Sequence, residues 1–326
     1  MAAIVGVDLG GTKCLAVAVV NGVVAAEHLV PTPSGASELI DTLTGLVDTV
    51  VDASGEPLAA VGIGVPGLVD REGVLRFAPN LRDASGMSVK AELVARFGVP
   101  VTADNDATCA TWGEFVLGAA QGRSNVLMVT LGTGIGGGIV TGGRIHRGVN
   151  GFAGELGHMV VDPHGPPCLC GRRGCWERFA SGSGLGLLAR SAALAGKADH
   201  VVELAGGDPE SVKGEHVSRA LADGDAEAQA IVDEFAFWLA LGLANLANAF
   251  DPEAFVIGGG LVTMGDTLFD PARVALQQQV IGRDAHPPVP ILPATLGVRA
   301  GAIGAAFLAG DELPITSARV AAEDRY

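Results

Sequence analysis

The chain opens with apolar runs that are nearly continuous and rich in β-branched residues. IVGVD at 4–8 and KCLAVAVV at 13–20 flank the turn LGGT, and a second turn follows at Asn21-Gly22. Such runs predict strands buried on both faces. SELIDTLTGLVDTVVDA, residues 37–53, switches to helical spacing, and AAVGIGVPG then returns as a strand ending in a glycine loop. Helical spacing recurs over SVKAELVARF at 88–97, ahead of the strand VPVTADND. This alternation predicts an α/β fold.

The pattern also repeats. VGVDLGGTKCLAVAVVNG near the start has a counterpart in MVTLGTGIGGGIVTGG at 128–143. Each reads as a strand, a glycine-rich turn and a second strand ending in a glycine hairpin, which predicts two related lobes. The boundary falls near residue 115, giving lobes over 1–115 and 116–326. The stretch 207–230, rich in Asp, Glu and Lys, predicts a surface-exposed helical insertion. FAFWLALGLANLANAF is the most apolar helical segment. Asn245 and Asn248 interrupt it, and it reads as too short and too polar to span a bilayer.

Composition narrows the partners. The net charge of −15 repels nucleic acid and anionic membrane, so neither is an expected partner. The start, MAAIVGVDLG, has no basic region ahead of its apolar run, which points to a cytoplasmic protein. Three of the five cysteines, Cys168, Cys170 and Cys175, crowd into one short stretch, and an odd count does not suit a disulfide framework. Nine residues separate His158 from Cys168, one separates the first two cysteines, and four separate the last two. One imidazole and three thiolates make a closed tetrahedral set, the composition of structural zinc. His164 is a rival to His158, ranked lower because it stands so close to Cys168. Gly165, Pro166, Pro167, Gly171 and Gly174 make the segment a loop.

Two nucleotide motifs match in letters and fail in context. GVDLGGTK at 6–13 nearly matches a P-loop, yet it ends Thr-Lys and runs into a strand rather than a helix. GTGIGG at 132–137 fits G-x-G-x-x-G, but a hairpin follows it, where a dinucleotide fingerprint needs a helix. What remains is a hairpin turn whose glycines let backbone N–H groups approach a phosphate. Thr12 and Thr133 add hydroxyls, Lys13 adds a charge, and Asp8 offers a hard oxygen to hydrated Mg²⁺. VIGGGL at 256–261 is a third glycine turn, suited either to the flat face of a base or simply to ending a strand. ADNDA at 103–107 offers Asp104 and Asp106 as carboxylates, and Asn-Asp there also suits a helix cap.

Together LGGTK, LGTGIGG, VTADNDATCATWGE and VIGGGL resemble the sugar-kinase, heat-shock and actin ATPase fold. The cysteine stretch narrows the resemblance to the ROK family (repressors, open reading frames and kinases), from about residue 4 to about residue 308. The resemblance implies a two-lobed actin-like α/β fold with a mixed sheet in each lobe and a cleft that closes over a sugar. It also implies that residues after about 305 return to the first lobe. It implies ATP-dependent phosphorylation of the 6-hydroxyl of a hexose, glucose first, with N-acetylmannosamine, N-acetylglucosamine, mannose or fructose as alternatives and polyphosphate as a second donor. By resemblance Asp106 is the base, and Asn80, Asn105, Asp106, Glu155, His158 and Glu177 bind the sugar, with zinc holding His158 at a fixed angle. Asp8, Gly10, Gly11, Thr12, Lys13, Thr133 and Gly134 take the phosphates and Mg²⁺, and Gly258, Gly259 and Gly260 the adenosine. A dimer or tetramer is implied. The sequence departs from the family where LRDASGMS lacks a tryptophan after Asn80. A sugar-responsive repressor is disfavoured because only seven residues precede Asp8, too few for a helix-turn-helix. A non-catalytic sugar-binding relative is disfavoured because Asp106 and both phosphate turns are retained.

Overall fold

The computed structural model of the chain describes residues 1–33, 36–78, 85–311 and 313. It divides into two compact units: Met1–Val116 with Arg147–Phe152 and the chain from Val298 on, and Leu117–His146 with Ala153–Gly297.

The first unit begins with β1 (Ala3–Leu9), β2 (Lys13–Val20) and β3 (Val23–Pro31), then α1 (Ala36–Ser54) and β4 (Leu58–Val65). The short β5 (Leu68–Val69) and β6 (Leu75–Phe77) pair with each other, and α2 (Val89–Phe97), β7 (Val101–Asn105) and α3 (Asp106–Val116) follow. Its sheet has the order β3-β2-β1-β4-β7, antiparallel through the hairpins and parallel from β1 to β7. Asn21 and Gly22, at φ +52° and +77°, make the left-handed turn that joins β2 to β3 without splaying the strands.

The second unit contains β8 (Val126–Leu131), β9 (Ile135–Thr141) and β10 (Arg144–Ile145). Helices α4 (Glu177–Ala180), α5 (Gly182–Leu194), α6 (Asp199–Leu204), α7 (Gly214–Ala222) and α8 (Ala226–Phe250) follow. Then come β11 (Ala254–Gly258), α9 (Asp266–Gln279) and β12 (Ile291–Pro293). Its sheet runs β10-β9-β8-β11-β12, with an antiparallel hairpin side and a parallel side, the same order and sense as the first. The turn after β1 and the turn after β8 therefore occupy equivalent places.

The last helix, α10 (Ala300–Asp311), packs in the first unit against α3, β1 and β4. Strand alternation explains how it fits. Ala3, Val5, Val7 and Leu9 of β1 are buried in the first unit's core with Leu39, Leu43 and Val47 of α1. Ile4, Gly6 and Asp8 face α10 instead. A Cβ on Gly6 would stand 1.9 Å from the Ala302 carbonyl oxygen, and one on Gly62 of β4 would stand 1.9 Å from that of Ala305. The helix backbone lies directly on the sheet backbone, so only glycine is tolerated at those two strand positions.

One sequence expectation needs correcting. The apolar segment before residue 250 belongs to α8, 25 residues long and apolar enough by length and composition to cross a membrane. Ile231, Phe235, Leu239 and Leu243 of that helix lie in the second unit's core, which accounts for its composition. The acidic stretch 207–230 is helical and largely exposed, as expected, with Val212, Val217 and Ala220 anchoring it in the same core.

Candidate active site

In the first unit the sheet register brings two carboxylates together. Asp8 pairs across the ladder with Gly64, and Gly64 pairs with Asp104. A Cβ on Gly64 would lie 3.3 Å from Asp106 Cα and 3.4 Å from Cys109 Sγ, so the missing side chain lets α3 start against the sheet. A Cβ on Gly301, at the N-terminus of α10, would lie 2.6 Å from the Asp8 carboxyl carbon. Burial, and then the charge of Asp106, push the Asp8 carboxyl up to about 7. Burial also raises that of Asp106, against hydrogen bonding from the Ala107 N–H and the Asn105 side chain. Asp8 and Asp106, two desolvated carboxylates with no counter-ion among the described residues, suit a divalent cation such as magnesium.

Asp104 and Asp106 differ in contacts the sequence does not show. Asp104 is buried and accepts from Arg147 Nε at 2.5 Å, tying the segment Arg147–Phe152 into the first unit. Arg71 adds bonds from its Nε to the carbonyls of Gly148 and Val149, both at 3.1 Å. Asp106 opens α3 and is held only by local bonds, its Oδ1 accepting from Ala107 N at 2.8 Å. Its neighbour Asn105 does cap the helix: Oδ1 accepts from Thr108 N at 3.0 Å, and Nδ2 donates to the Gly67 carbonyl at 3.1 Å. With its amide also bonded to the Asp106 carboxyl, one lone pair of Asn105 Oδ1 remains for a ligand. Asn80 lies outside the described residues.

The first glycine turn is closed by Gly10 N donating to the Lys13 carbonyl at 2.9 Å. Thr32, unsuspected from sequence, braces it: its hydroxyl donates to the Gly10 carbonyl at 2.7 Å and its N–H to that of Thr12 at 3.0 Å. A Cβ on Gly11 would meet nothing within 4 Å, while Thr12 and Lys13 are exposed.

In the second unit the equivalent turn is closed by Gly132 N donating to the Gly134 carbonyl at 3.0 Å. Gly182, first residue of α5, donates to the Gly132 carbonyl at 2.8 Å. Gly259, at φ +85°, lies so near Leu131 that a Cβ would stand 2.4 Å from its carbonyl oxygen, whereas Gly260 faces open space. These turns border a cavity of about 650 Å³ that also exposes Arg178, Ser183, Arg190 and Lys213. That volume suits a drug- or nucleotide-sized ligand. None of those four residues was expected from sequence. The available signal was local: Arg178 follows Glu177 directly, and the run Gly182-Ser183-Gly184 opens a helix.

The cysteine loop folds as a knuckle in the second unit. Cys168 N donates to the Arg172 carbonyl at 2.8 Å, and Val161 N to that of Gly174 at 2.9 Å. A Cβ on Gly174, at φ +65°, would lie 1.5 Å from the Asp162 carbonyl oxygen, so the loop closes only with glycine there. Buried Trp176 anchors its end, Nε1 donating to the Trp238 carbonyl of α8 at 2.8 Å.

The donor atoms of His158, Cys168, Cys170 and Cys175 all lie within 4.8 Å of one another. Cys170 Sγ and Cys175 Sγ are 3.5 Å apart, and Cys168 Sγ is 3.8 Å from His158 Nδ1. Tetrahedral zinc with ordinary Zn–S and Zn–N lengths needs edges of roughly 3.5–3.8 Å, so the set fits the ion. Arg172 works in the same sense on Cys170: burial raises that thiol, but hydrogen bonds from Arg172 and the neighbouring cysteines outweigh it and bring it to about 6. His164 is not in the set.

His158 ends a 3₁₀ turn, Leu156–His158, and its Nε2 faces Glu155 Oε2 at 3.8 Å. Glu177 Oε1 lies 3.0 Å from Cys168 Sγ and 3.7 Å from His158 Nδ1. A Cβ on Gly134 would stand 2.7 Å from Glu177 Oε2. The structure thus gathers Glu155, His158 and Glu177 around the knuckle and brings Glu177 against the second glycine turn.

Two mixed sheets of one topology, each ending in a glycine turn, define an actin-like ATPase fold. The chain belongs to the ROK family, which it matches over residues 4–312. It is 40% identical over 316 residues to the glucokinase of Streptomyces coelicolor, covering 95% of this chain and 98% of that protein. It is 38% identical over 277 residues to the glucokinase of Thermotoga maritima, covering 83% of this chain and 86% of that protein. Among solved structures, a ROK family glucokinase from Streptomyces griseus in complex with glucose and AMPPNP superimposes with a TM-score of 0.83. It is 40% identical and covers 95% of this chain and 99% of its own.

Proposed function

We propose that the protein is an ATP-dependent glucokinase, transferring the γ-phosphoryl group of ATP to the 6-hydroxyl of glucose. The observation that carries this reading is the likeness, over 95% of the chain, to a kinase solved with glucose and an ATP analogue. In the reaction O6 of glucose forms a bond to the γ-phosphorus while the bond to the bridging β–γ oxygen breaks, leaving ADP. The hydroxyl proton passes to Asp106. Its raised carboxyl gives it a greater proton affinity than a free aspartate, which suits a general base. Of the two acids of ADND, it is the one not committed to an arginine.

Sugar hydroxyls bind Asn80, Asn105, Glu155, His158 and Glu177. The 3.8 Å gap between His158 Nε2 and Glu155 suits a hydroxyl donating to one and accepting from the other. His158, Cys168, Cys170 and Cys175 would hold structural zinc, which would fix the imidazole and leave its other nitrogen to the sugar. Asp8 holds hydrated Mg²⁺, which would offset the charge of the phosphates. Backbone N–H groups of Gly11 and Gly134, with Thr12, Lys13 and Thr133, take the phosphates on turns that the N–H groups of Gly10 and Gly132 close, and Gly258, Gly259 and Gly260 border the adenosine. The protein acts in the cytoplasm, in glycolysis, as a homo-oligomer.

The test is ADP release from Mg²⁺-ATP with glucose, beside mannose, fructose, N-acetylglucosamine and N-acetylmannosamine. The expected result is a preference for glucose in kcat/KM. A preference for another hexose would reassign the substrate, and no turnover with any would overturn the kinase reading.

A further inference from the structure

The cavity beside the second glycine turn is chemically one-sided. Arg178, Arg190 and Lys213 border it with Thr133, Ser183 and Leu261, and no acidic side chain lines it among the described residues, in a chain whose net charge is −15. The three cations are not equivalent. Arg190 is spent in part on the fold, its Nη1 donating to the Val212 carbonyl at 2.8 Å. Lys213 is exposed at the head of α7. Arg178 is half-buried, and its Nε is shut off from solvent with no hydrogen-bond partner among the described residues. The guanidinium makes no ion pair there either, although Glu177 is its neighbour in sequence.

A buried guanidinium nitrogen without an acceptor is costly, because desolvation is not repaid by a bond. The planar fork of an arginine is matched by two oxygens of a phosphate or carboxylate. The surroundings favour an anion. Gly182 and Ser183, at the N-terminus of α5, line the same cavity, as does Gly214 at the N-terminus of α7. Gly132 and Thr133 of the glycine turn stand beside them. Arg178 reaches this place because α4 is a single turn between the last cysteine and α5. Position 177 of that turn goes to the knuckle and Gly134, and position 178 to the cavity.

We propose that Arg178 binds the phosphates of the nucleotide and is a determinant of nucleotide affinity in this protein. Loss of its charge weakens ligands in proportion to the phosphates they carry, and leaves adenosine untouched. The proposal rests on the reading of the protein as an ATP-dependent kinase.

The test measures the affinities of Mg²⁺-ATP, ADP and adenosine by calorimetry for the native protein, Arg178→Gln and Arg178→Lys. The expected result is that Arg178→Gln weakens ATP by about 10- to 100-fold, the loss of a charged hydrogen-bonding group. ADP should weaken as well, adenosine should stay within about twofold, and Arg178→Lys should recover part of the loss. Equal weakening of adenosine and ATP would show that Arg178 merely shapes the base pocket and would overturn the proposal. Unchanged ATP affinity would overturn it too. A second measurement needs no variant. Phenylglyoxal modification of Arg178 in the native protein, read by peptide mass, should be blocked by ATP and not by adenosine. Equal blocking, or none, counts against the proposal. Native protein that binds ATP without phosphorylating any sugar would sink the kinase reading alone. Native protein that binds no nucleotide would sink both.

Discussion

The same residue type carries different duties here according to a few ångströms of surroundings. Asp104 and Asp106 are two positions apart, yet one is neutralised by Arg147 and the other stands at the head of a helix with local bonds only. Asp106→Asn keeps an oxygen to accept from Ala107, so the fold should persist while kcat falls by roughly 10²- to 10⁴-fold, the worth of a general base. A folded variant with near-native turnover would remove Asp106 from the reaction. Asp8 carries a second prediction. Its carboxyl lies near 7 in the fold against 3.8 for the free group, so between those values the folded state holds a proton that the unfolded state has lost. Stability must then fall as pH rises through that window. In metal-free protein the denaturation midpoint should drop from about pH 5 to about pH 8, and Asp8→Asn should flatten that trend. A native profile rising over this range would contradict the assignment.

At the scale of elements, glycine decides which pieces can touch. A Cβ on Gly304 of α10 would stand 1.7 Å from the Cys109 carbonyl oxygen of α3, so those two helices meet backbone to backbone. Gly304→Ala has no rotamer with which to escape and should cost about 3 kcal/mol or more. The melting temperature should fall by roughly 6 °C or more at that cost. Gly45→Ala on α1 is the control: nothing lies within 4 Å of its Cβ, and the gain in helix propensity should stabilise by up to about 1 kcal/mol. Thermal denaturation of both variants measures the contrast, and equal shifts would refute the close approach of α3 and α10. The same logic runs through the knuckle, where Gly174 admits the Asp162 carbonyl, and through α8, where a Cβ on Gly242 would fall 2.0 Å from the ring of Trp176. From sequence these glycines were legible as turns in loops but not as contacts in helices, because the contact partner is distant in the chain.

For the whole molecule, each unit has its own core, and the Cys₃His loop belongs to one of them. Trp176 ties that loop to α8, so metal loss should loosen the second unit locally and spare the first. Hydrogen exchange after chelation should rise over residues 155–180 and around Trp238, with β1, β4 and α10 unchanged. Cys170→Ala should lower zinc content and weaken glucose binding together. Full glucose affinity in zinc-free protein would separate the metal from the sugar site.

Whatever depends on neighbours in the chain was written in the sequence. Ligand spacing in His158 to Cys175, the apolar strands, the Asn21-Gly22 turn and the repeated glycine turns are all local patterns, set by backbone geometry and side-chain chemistry within a few residues. Family resemblance extended that reading to the role of Asp106. Only the tertiary structure assigned Asp104 to Arg147, set Thr32 behind the first glycine turn, and collected Arg178, Arg190 and Lys213 around one cavity. Those arrangements join residues tens of positions apart, and their energies come from burial and charge in a shared volume. No run of letters carries that information, because the volume exists only once strands and helices have packed.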